Sequence, residues 1–182
     1  MLFGSELFEI SVLNGVREAV GCSFADAVMV FVSTIGNAGI IWIVCGFILA
    51  FTKKYRKSGI MLLVGLLLGL LIGNLLLKNL IARPRPCWIQ HNVELLIDMP
   101  TDFSFPSGHT LSCFIAAFVL LDANLKFGAA ALFLAVLTAF SRMYLFVHYP
   151  TDILGGIVLA AVIFGLMKLT VKAVGRYKKL RN

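Results

Sequence analysis

The sequence predicts an all-α protein: a polytopic bundle of five to six membrane-spanning helices, preceded by an amphipathic helix at the membrane interface. Three observations predict it. Apolar residues make up 60% of the 182-residue chain and charged residues only 14%, against about 25% charged in soluble domains. Mean hydropathy is +0.95, and a chain of this length cannot hide that much apolar surface in one soluble core. The apolar residues also come in blocks of about 15 to 25, the length needed to meet a hydrocarbon layer about 30 Å thick. No repeat or linker divides the chain, so residues 1–182 read as a single membrane domain.

The elements follow in order. Residues 1–22 mix Glu6, Glu9, Arg17 and Glu18 with Leu2, Phe3, Leu7, Phe8, Ile10 and Leu13. That is too polar to span and fits a helix lying in the interface. The stretch also lacks the basic start and clean apolar middle of a signal peptide. Residues 27–51 form the first long block, broken by Gly36-Asn37-Ala38-Gly39 into one kinked span or two helices. Residues 58–77 are a clean span, 107–121 a short one, and 127–147 and 153–167 complete the set. A polar loop fills 83–106, and a basic tail occupies 168–182.

The formal net charge is +7. The positive groups cluster at the ends of apolar blocks, which is an orientation signal of membrane proteins rather than a nucleic-acid footprint. With five spans, Lys53, Lys54, Arg56, Lys57, Lys126 and the tail cations share one side. Arg17, Lys78, Arg83, Arg85 and Arg142 fall on the other. The richer side is expected to be cytoplasmic together with the C-terminus. The amino terminus and the 83–106 loop then face outward from a cell (inner) membrane. Cys22, Cys45, Cys87 and Cys113 have neither zinc-ligand nor CxxC spacing and read as small apolar fillers.

Ionisable residues at span ends mark function, and three clusters stand out. In the first, Lys78 and Arg85 are seven residues apart, so a helix places both on one face, with Pro84 and Pro86 ending it. Two such cations suit a doubly charged anion. Arg83 lies off that face, as an anchor or a contact for a second phosphate. In the second, Pro106-Ser107-Gly108-His109 precedes an apolar run. Ser107 fits a helix N-cap, the helix start is an anion site, and Gly108 lets an anion approach the backbone. His109 stands beside it as a proton carrier. In the third, Arg142 ends a span, and His148 and Asp152 straddle a turn at Pro150. A carboxylate on one imidazole nitrogen raises the basicity of the other, which activates a nucleophile. Each cluster alone also fits an ordinary role: a snorkelling span end, a capped helix or a structural His–Asp bond. Together they reach the same outward face, and phosphoryl transfer requires such a set.

These residues resemble the type 2 phosphatidic acid phosphatase (PAP2) superfamily, whose pattern is K-x6-R-P, then P-S-G-H, then S-R-x5-H-x3-D. Here it runs from Lys78 to Arg85-Pro86, through Pro106-Ser107-Gly108-His109, to Ser141-Arg142, His148 and Asp152. The resemblance implies that His148 attacks phosphorus, Asp152 orients it, and His109 serves the leaving oxygen and then water. It implies that Lys78, Arg85, Ser107, Gly108 and Arg142 hold the phosphate, with no cofactor and no metal. The implied activity is hydrolysis of a lipid phosphate, with undecaprenyl diphosphate favoured. Phosphatidic acid and phosphatidylglycerol phosphate are the alternatives, and a non-enzymatic lipid-phosphate binding or transport protein is the other class. The expected partners are the bilayer and the lipid substrate, not nucleic acid. The 83–106 loop, with Trp88, His91, Glu94, Asp98 and Asp102, is expected to form the lid or rim of the site.

Overall fold

The computed structural model describes residues 6–181. Residues 1–5 of the expected interfacial helix and Asn182 of the expected tail lie outside the described residues, as do the side chains of residues 177–181. Every regular element among the described residues is helical.

Helix α1 (Glu6–Val20) turns Glu9, Ile10 and Leu13 inward and leaves Leu7 and Phe8 exposed. Its inner face packs Ile10 and Leu13 on Phe146 and Tyr149. Helix α2 (Ser23–Ile35) begins where the Cys22 thiol accepts from the Ala25 amide. A 3₁₀ turn at Asn37–Gly39 then leads into α3 (Ile40–Phe51), and the pair is bent by 47°. Gly39 carries the bend in the left-handed region at φ +66°, where a side chain would be strained. The Gly36–Gly39 break thus produces a bent helix pair, one of the two outcomes the sequence allows.

Helix α4 (Arg56–Leu68) runs antiparallel to α3 and continues into a π-helical stretch, Gly69–Leu77, and then α5 (Lys78–Ile81). Gly65, Gly69 and Gly73 face Ile115 and Leu111 of α7 (Gly108–Ala123). Small residues four apart let membrane helices approach closely where no hydrophobic driving force between them exists. Helix α7 is the axis of the bundle and is buried along most of its length. It packs against α4, α8 (Leu125–Tyr144) and α9 (Pro150–Arg181). Asn124 forms the tight turn between α7 and α8, its Oδ1 accepting from the amides of Lys126 and Phe127. Helix α9 continues without a break through the region expected to be a separate tail.

Among the described residues, three segments are long and apolar enough to cross a membrane: the one that starts at Arg56, Leu125–Tyr144, and Pro150–Val174. The bent α2–α3 pair makes a fourth if it counts as one span. Helix α7 is shorter, as expected for residues 107–121. The chain is a multi-pass membrane protein.

Candidate active site

Five chain segments converge at one end of the bundle. Helix α5 ends at Ala82, whose φ of 48° turns the backbone left-handed. The chain then runs extended through Arg85 into the short helix α6 (Pro86–Ile89). Lys78 and Arg85 therefore do not share a helical face, contrary to the spacing argument. They meet all the same, because both grip the carboxylate of Asp102. Lys78 Nζ pairs with Asp102 Oδ2, and Arg85 Nη2 donates to Oδ1 at 2.6 Å. Arg85 Nε also donates to the Asp102 carbonyl at 2.7 Å.

Arg85 bridges onward to His148. Its Nη1 donates to the Val147 carbonyl at 2.7 Å and lies 3.2 Å from His148 Nε2. A guanidinium can only donate, so Nε2 carries the lone pair and the proton resides on Nδ1. That nitrogen faces Asp152 Oδ2 at 3.4 Å and Ser104 Oγ at 3.5 Å. Burial first, then the charges of Arg85 and Arg142, pushes the His148 pKa well below its ordinary value, which keeps the ring neutral. The link between α8 and α9 that carries His148 turns through Phe146 at φ 62°.

Asp152 is fully buried in the first turn of α9. Its Oδ2 accepts from the Tyr149 amide at 2.8 Å and from Ser104 Oγ. Its Oδ1 accepts from Arg83 Nη1 at 2.8 Å. Arg83 is thus turned away from the cavity. Its guanidinium also donates to Thr151 Oγ1 at 2.6 Å and to Glu9 Oε1 at 2.8 Å. Arg83, expected as an anchor or a second-phosphate contact, is held by Glu9, Thr151 and Asp152 and does not line the cavity.

Ser107 caps α7 as expected, its Oγ accepting from the Thr110 amide at 3.4 Å and from the Thr110 hydroxyl at 3.0 Å. It is fully buried, behind the cavity wall that Gly108 and His109 help to form. His109 Nε2 lies 3.2 Å from Asn37 Oδ1, at the bend between α2 and α3. A side chain at Gly108 would strike Asn74 Oδ1 at 2.7 Å. Arg142, in the last turn of α8, donates to Ser33 Oγ of α2, and its buried Nε has no hydrogen-bond partner among the described residues.

Lys78, Arg85, Gly108, His109, Arg142 and His148 line one cavity of about 1000 Å³. Its polar end holds three cations against the carboxylate of Asp102. Burial would raise the Asp102 pKa, but the Lys78 bond and the Arg85 charge outweigh it and hold the group below the usual carboxylate range. The other end is apolar, with Ile43, Leu63, Leu67 and Leu70 on its wall. The expected rim is borne by residues 96–102, with Asp98 and Asp102 on the wall. Trp88 braces that loop, donating from Nε1 to the Pro100 carbonyl at 3.0 Å. His91 and Glu94 are not on the wall. Sequence reasoning missed Ser33, Asn37, Asn74 and Ser104, for which only the polarity of residues in or beside apolar blocks gave a signal.

Such a site can grip a phosphoryl group, present a neutral imidazole to it and hold an apolar chain beside it. The PAP2 superfamily model matches residues 58–176. The chain is 31% identical to an undecaprenyl-diphosphatase of Sulfolobus acidocaldarius, over 99% of this chain and 84% of that protein. It is 33% identical to the undecaprenyl-diphosphatase BcrC of Bacillus subtilis, over 78% and 72%. Among solved structures, the transmembrane PAP2 type phosphatidylglycerolphosphate phosphatase of Bacillus subtilis superposes with a TM-score of 0.73 at 25% identity, covering 91% of this chain and 85% of that one. Aquifex aeolicus LpxE shares the fold with a TM-score of 0.74 at 23% identity, covering 86% and 92%.

Proposed function

Given that the chain belongs to the PAP2 superfamily and is a membrane lipid phosphatase, we propose that it removes the terminal phosphate of a polyprenyl diphosphate, undecaprenyl diphosphate by preference. The observation that carries this reading is the two-ended cavity, with phosphate-type cations and a neutral imidazole at one end and a leucine-lined wall at the other. The Sulfolobus and Bacillus relatives named for that substrate support it.

In the proposed reaction His148 Nε2 attacks the terminal phosphorus. The N–P bond forms as the P–O bond to the prenyl phosphate breaks, and His109 gives that oxygen its proton. His109 then takes a proton from water as the water oxygen attacks the phosphohistidine, releasing inorganic phosphate and restoring both rings. Lys78, Arg85 and Arg142 neutralise the equatorial oxygens. Ser107 caps α7 so that the first turn, with Gly108, meets the anion. Asp152 orients His148. These cations supply the charge that a bound metal would otherwise bring. To enter, the phosphate displaces the Asp102 carboxylate from Lys78 and Arg85.

Helix α7 has 16 residues and is roughly 24 Å long at about 1.5 Å per residue, less than the hydrocarbon thickness of about 30 Å. A site at its start therefore lies just below the headgroups, where a lipid phosphate arrives sideways between helices. The cation distribution supports an outward-facing site and a cytoplasmic C-terminus.

Phosphatidylglycerol phosphate is the second reading, favoured by the likeness to the Bacillus subtilis phosphatase. Phosphatidic acid would fit the same polar end, and a non-enzymatic carrier is less well supported. Phosphate release from a panel of these lipids in detergent tests the order, with the prenyl diphosphate expected to give the highest kcat/KM. An acid-labile phosphoenzyme, absent in His148→Ala, is expected on rapid quenching. Turnover retained by His148→Ala would remove it as nucleophile.

A further inference from the structure

Arg83 and Glu9 form a layer behind the candidate site that the roles above do not use. We propose that Arg83, held by Glu9 of α1, is a positioning residue that locks the Asp152 carboxylate against His148. The inference rests on the assignment of His148 as nucleophile.

The geometry is specific. Asp152 divides its oxygens: Oδ2 serves Tyr149, Ser104 and His148, and Oδ1 accepts from Arg83 at 2.8 Å. The carboxylate is thereby fixed in rotation as well as position, with the oxygen that faces His148 kept on that side. Arg83 is itself fixed from three directions. Its Nη2 donates to Glu9 Oε1 at 2.8 Å, its Nη1 to Thr151 at 2.6 Å, and its guanidinium carbon lies 3.9 Å from the centre of the Tyr149 ring. Glu9 completes the frame, because its Oε2 accepts from the Thr151 amide at 3.1 Å and hydroxyl at 2.7 Å. Glu6 adds a looser carboxylate 3.9 Å from Arg83 Nε.

The charges alternate from Glu9 through Arg83 to Asp152, and all three side chains are nearly inaccessible, at 4%, 1% and 0%. Removing one member of a buried pair leaves the other charge unpaired. Without Arg83, Asp152 must turn toward other donors or take a proton. Turning removes the acceptor from His148 Nδ1 and protonation weakens it, so attack slows although the phosphate cations stay in place. Loss of the outer partner of a metal-bound histidine typically costs about 10- to 100-fold, and a loss of the same order is expected for this histidine.

The test pairs single-turnover kinetics with binding of inorganic phosphate, the reaction product, to full-length protein in detergent. Arg83→Gln and Glu9→Gln are compared with wild type, and Arg83→Lys serves as the conservative variant. Arg83→Gln is expected to slow phosphoenzyme formation by about 10- to 100-fold while the phosphate dissociation constant stays within about threefold, a free-energy change under 1 kcal/mol. Arg83→Lys is expected to recover part of the rate, since a cation again faces Asp152. Retained phosphate binding also reports a folded site. If Arg83→Gln fails to fold, Glu9→Gln, which leaves the guanidinium in place, is expected to slow the same step by a smaller factor. A parallel loss of rate and phosphate affinity would make Arg83 a phosphate ligand, and an unchanged rate in both Gln variants would make the layer purely structural. Either result overturns the proposal. Failure of the nucleophile assignment shows separately, as the absence of a phosphohistidine in the wild-type enzyme.

Discussion

Replacing Asp102 by Asn should make the protein bind inorganic phosphate more tightly. Asp102 presents its two carboxylate oxygens to Lys78 and Arg85, the same groups proposed to receive substrate oxygens. Its side chain is 56% exposed, so the attraction is screened, and the water-like limit of about 1 kcal/mol per unit charge pair at 4 Å applies. Two cations give about 2 kcal/mol, which an incoming anion must replace, equivalent to about 30-fold in affinity. Asn keeps the shape and the backbone carbonyl bonded to Arg85 Nε. The expected gain is therefore about 5- to 30-fold in the inhibition constant for phosphate, read as product inhibition of lipid turnover. Because the Asp102 pKa lies below the usual carboxylate range, the group stays ionised above its ordinary titration region and loses its charge only as pH falls through the depressed value. The ratio between variant and wild type should thus be flat from about pH 5 to pH 8. An inhibition constant that is unchanged or weaker in Asp102→Asn would mean that the carboxylate orders the cations for substrate rather than competing with it.

Three further outcomes are expected. A Cβ at Gly73 would sit 2.4 Å from Leu111 Cδ2, so Gly73→Val should cost about 1–3 kcal/mol by overpacking and lower the melting temperature in detergent by about 2–10 °C. An unchanged melting temperature would show that Leu111 swings aside freely. Leu67→Trp places bulk on the apolar wall of the cavity. It should raise KM for a long prenyl diphosphate at least threefold while leaving hydrolysis of a short water-soluble phosphate ester unchanged; equal effects on both would deny the wall a role in holding lipid. Activity should persist in EDTA, because Lys78, Arg85 and Arg142 neutralise the transferred group. Loss of activity restored by Mg2+ would refute that division of labour.

The sequence made the bundle legible because apolar blocks of membrane length have one physical solution, in which helices satisfy their own backbone groups. It made the charged end of the cavity legible because three charged clusters at span ends needed a common purpose. It set Arg83 apart from Arg85 but did not show what Arg83 meets, since both stand in the same Arg-Pro repeat. What separates them is the left-handed residue Ala82, which turns the chain after α5 so that one guanidinium faces the cavity and the other its back. An alanine carries no local preference for that conformation, so tertiary contacts impose it. The same holds for Asp102 and Ser104, placed by an irregular loop that Trp88 and Arg83 tie down through backbone contacts.

Glu9 shows where legibility ends and what it would have taken to go further. Its partner Arg83 is 74 residues away, so no spacing rule links them. Yet Glu9 stands beside Ile10 on the face of α1 that turns inward, and a carboxylate there needs a buried cation. Among the outward cations, Lys78, Arg85 and Arg142 were already engaged by the phosphate argument. Arg83 and Arg17 remained, and Arg17 belongs to the same helix as Glu9, eight residues on and too far to fold back onto it. Once Glu9 is known to turn inward, charge balance points from it to Arg83. Followed through, it turns the amino-terminal helix from a peripheral anchor into the outer support of the site, because the helix that packs Ile10 and Leu13 on Tyr149 also delivers the carboxylate that holds Arg83.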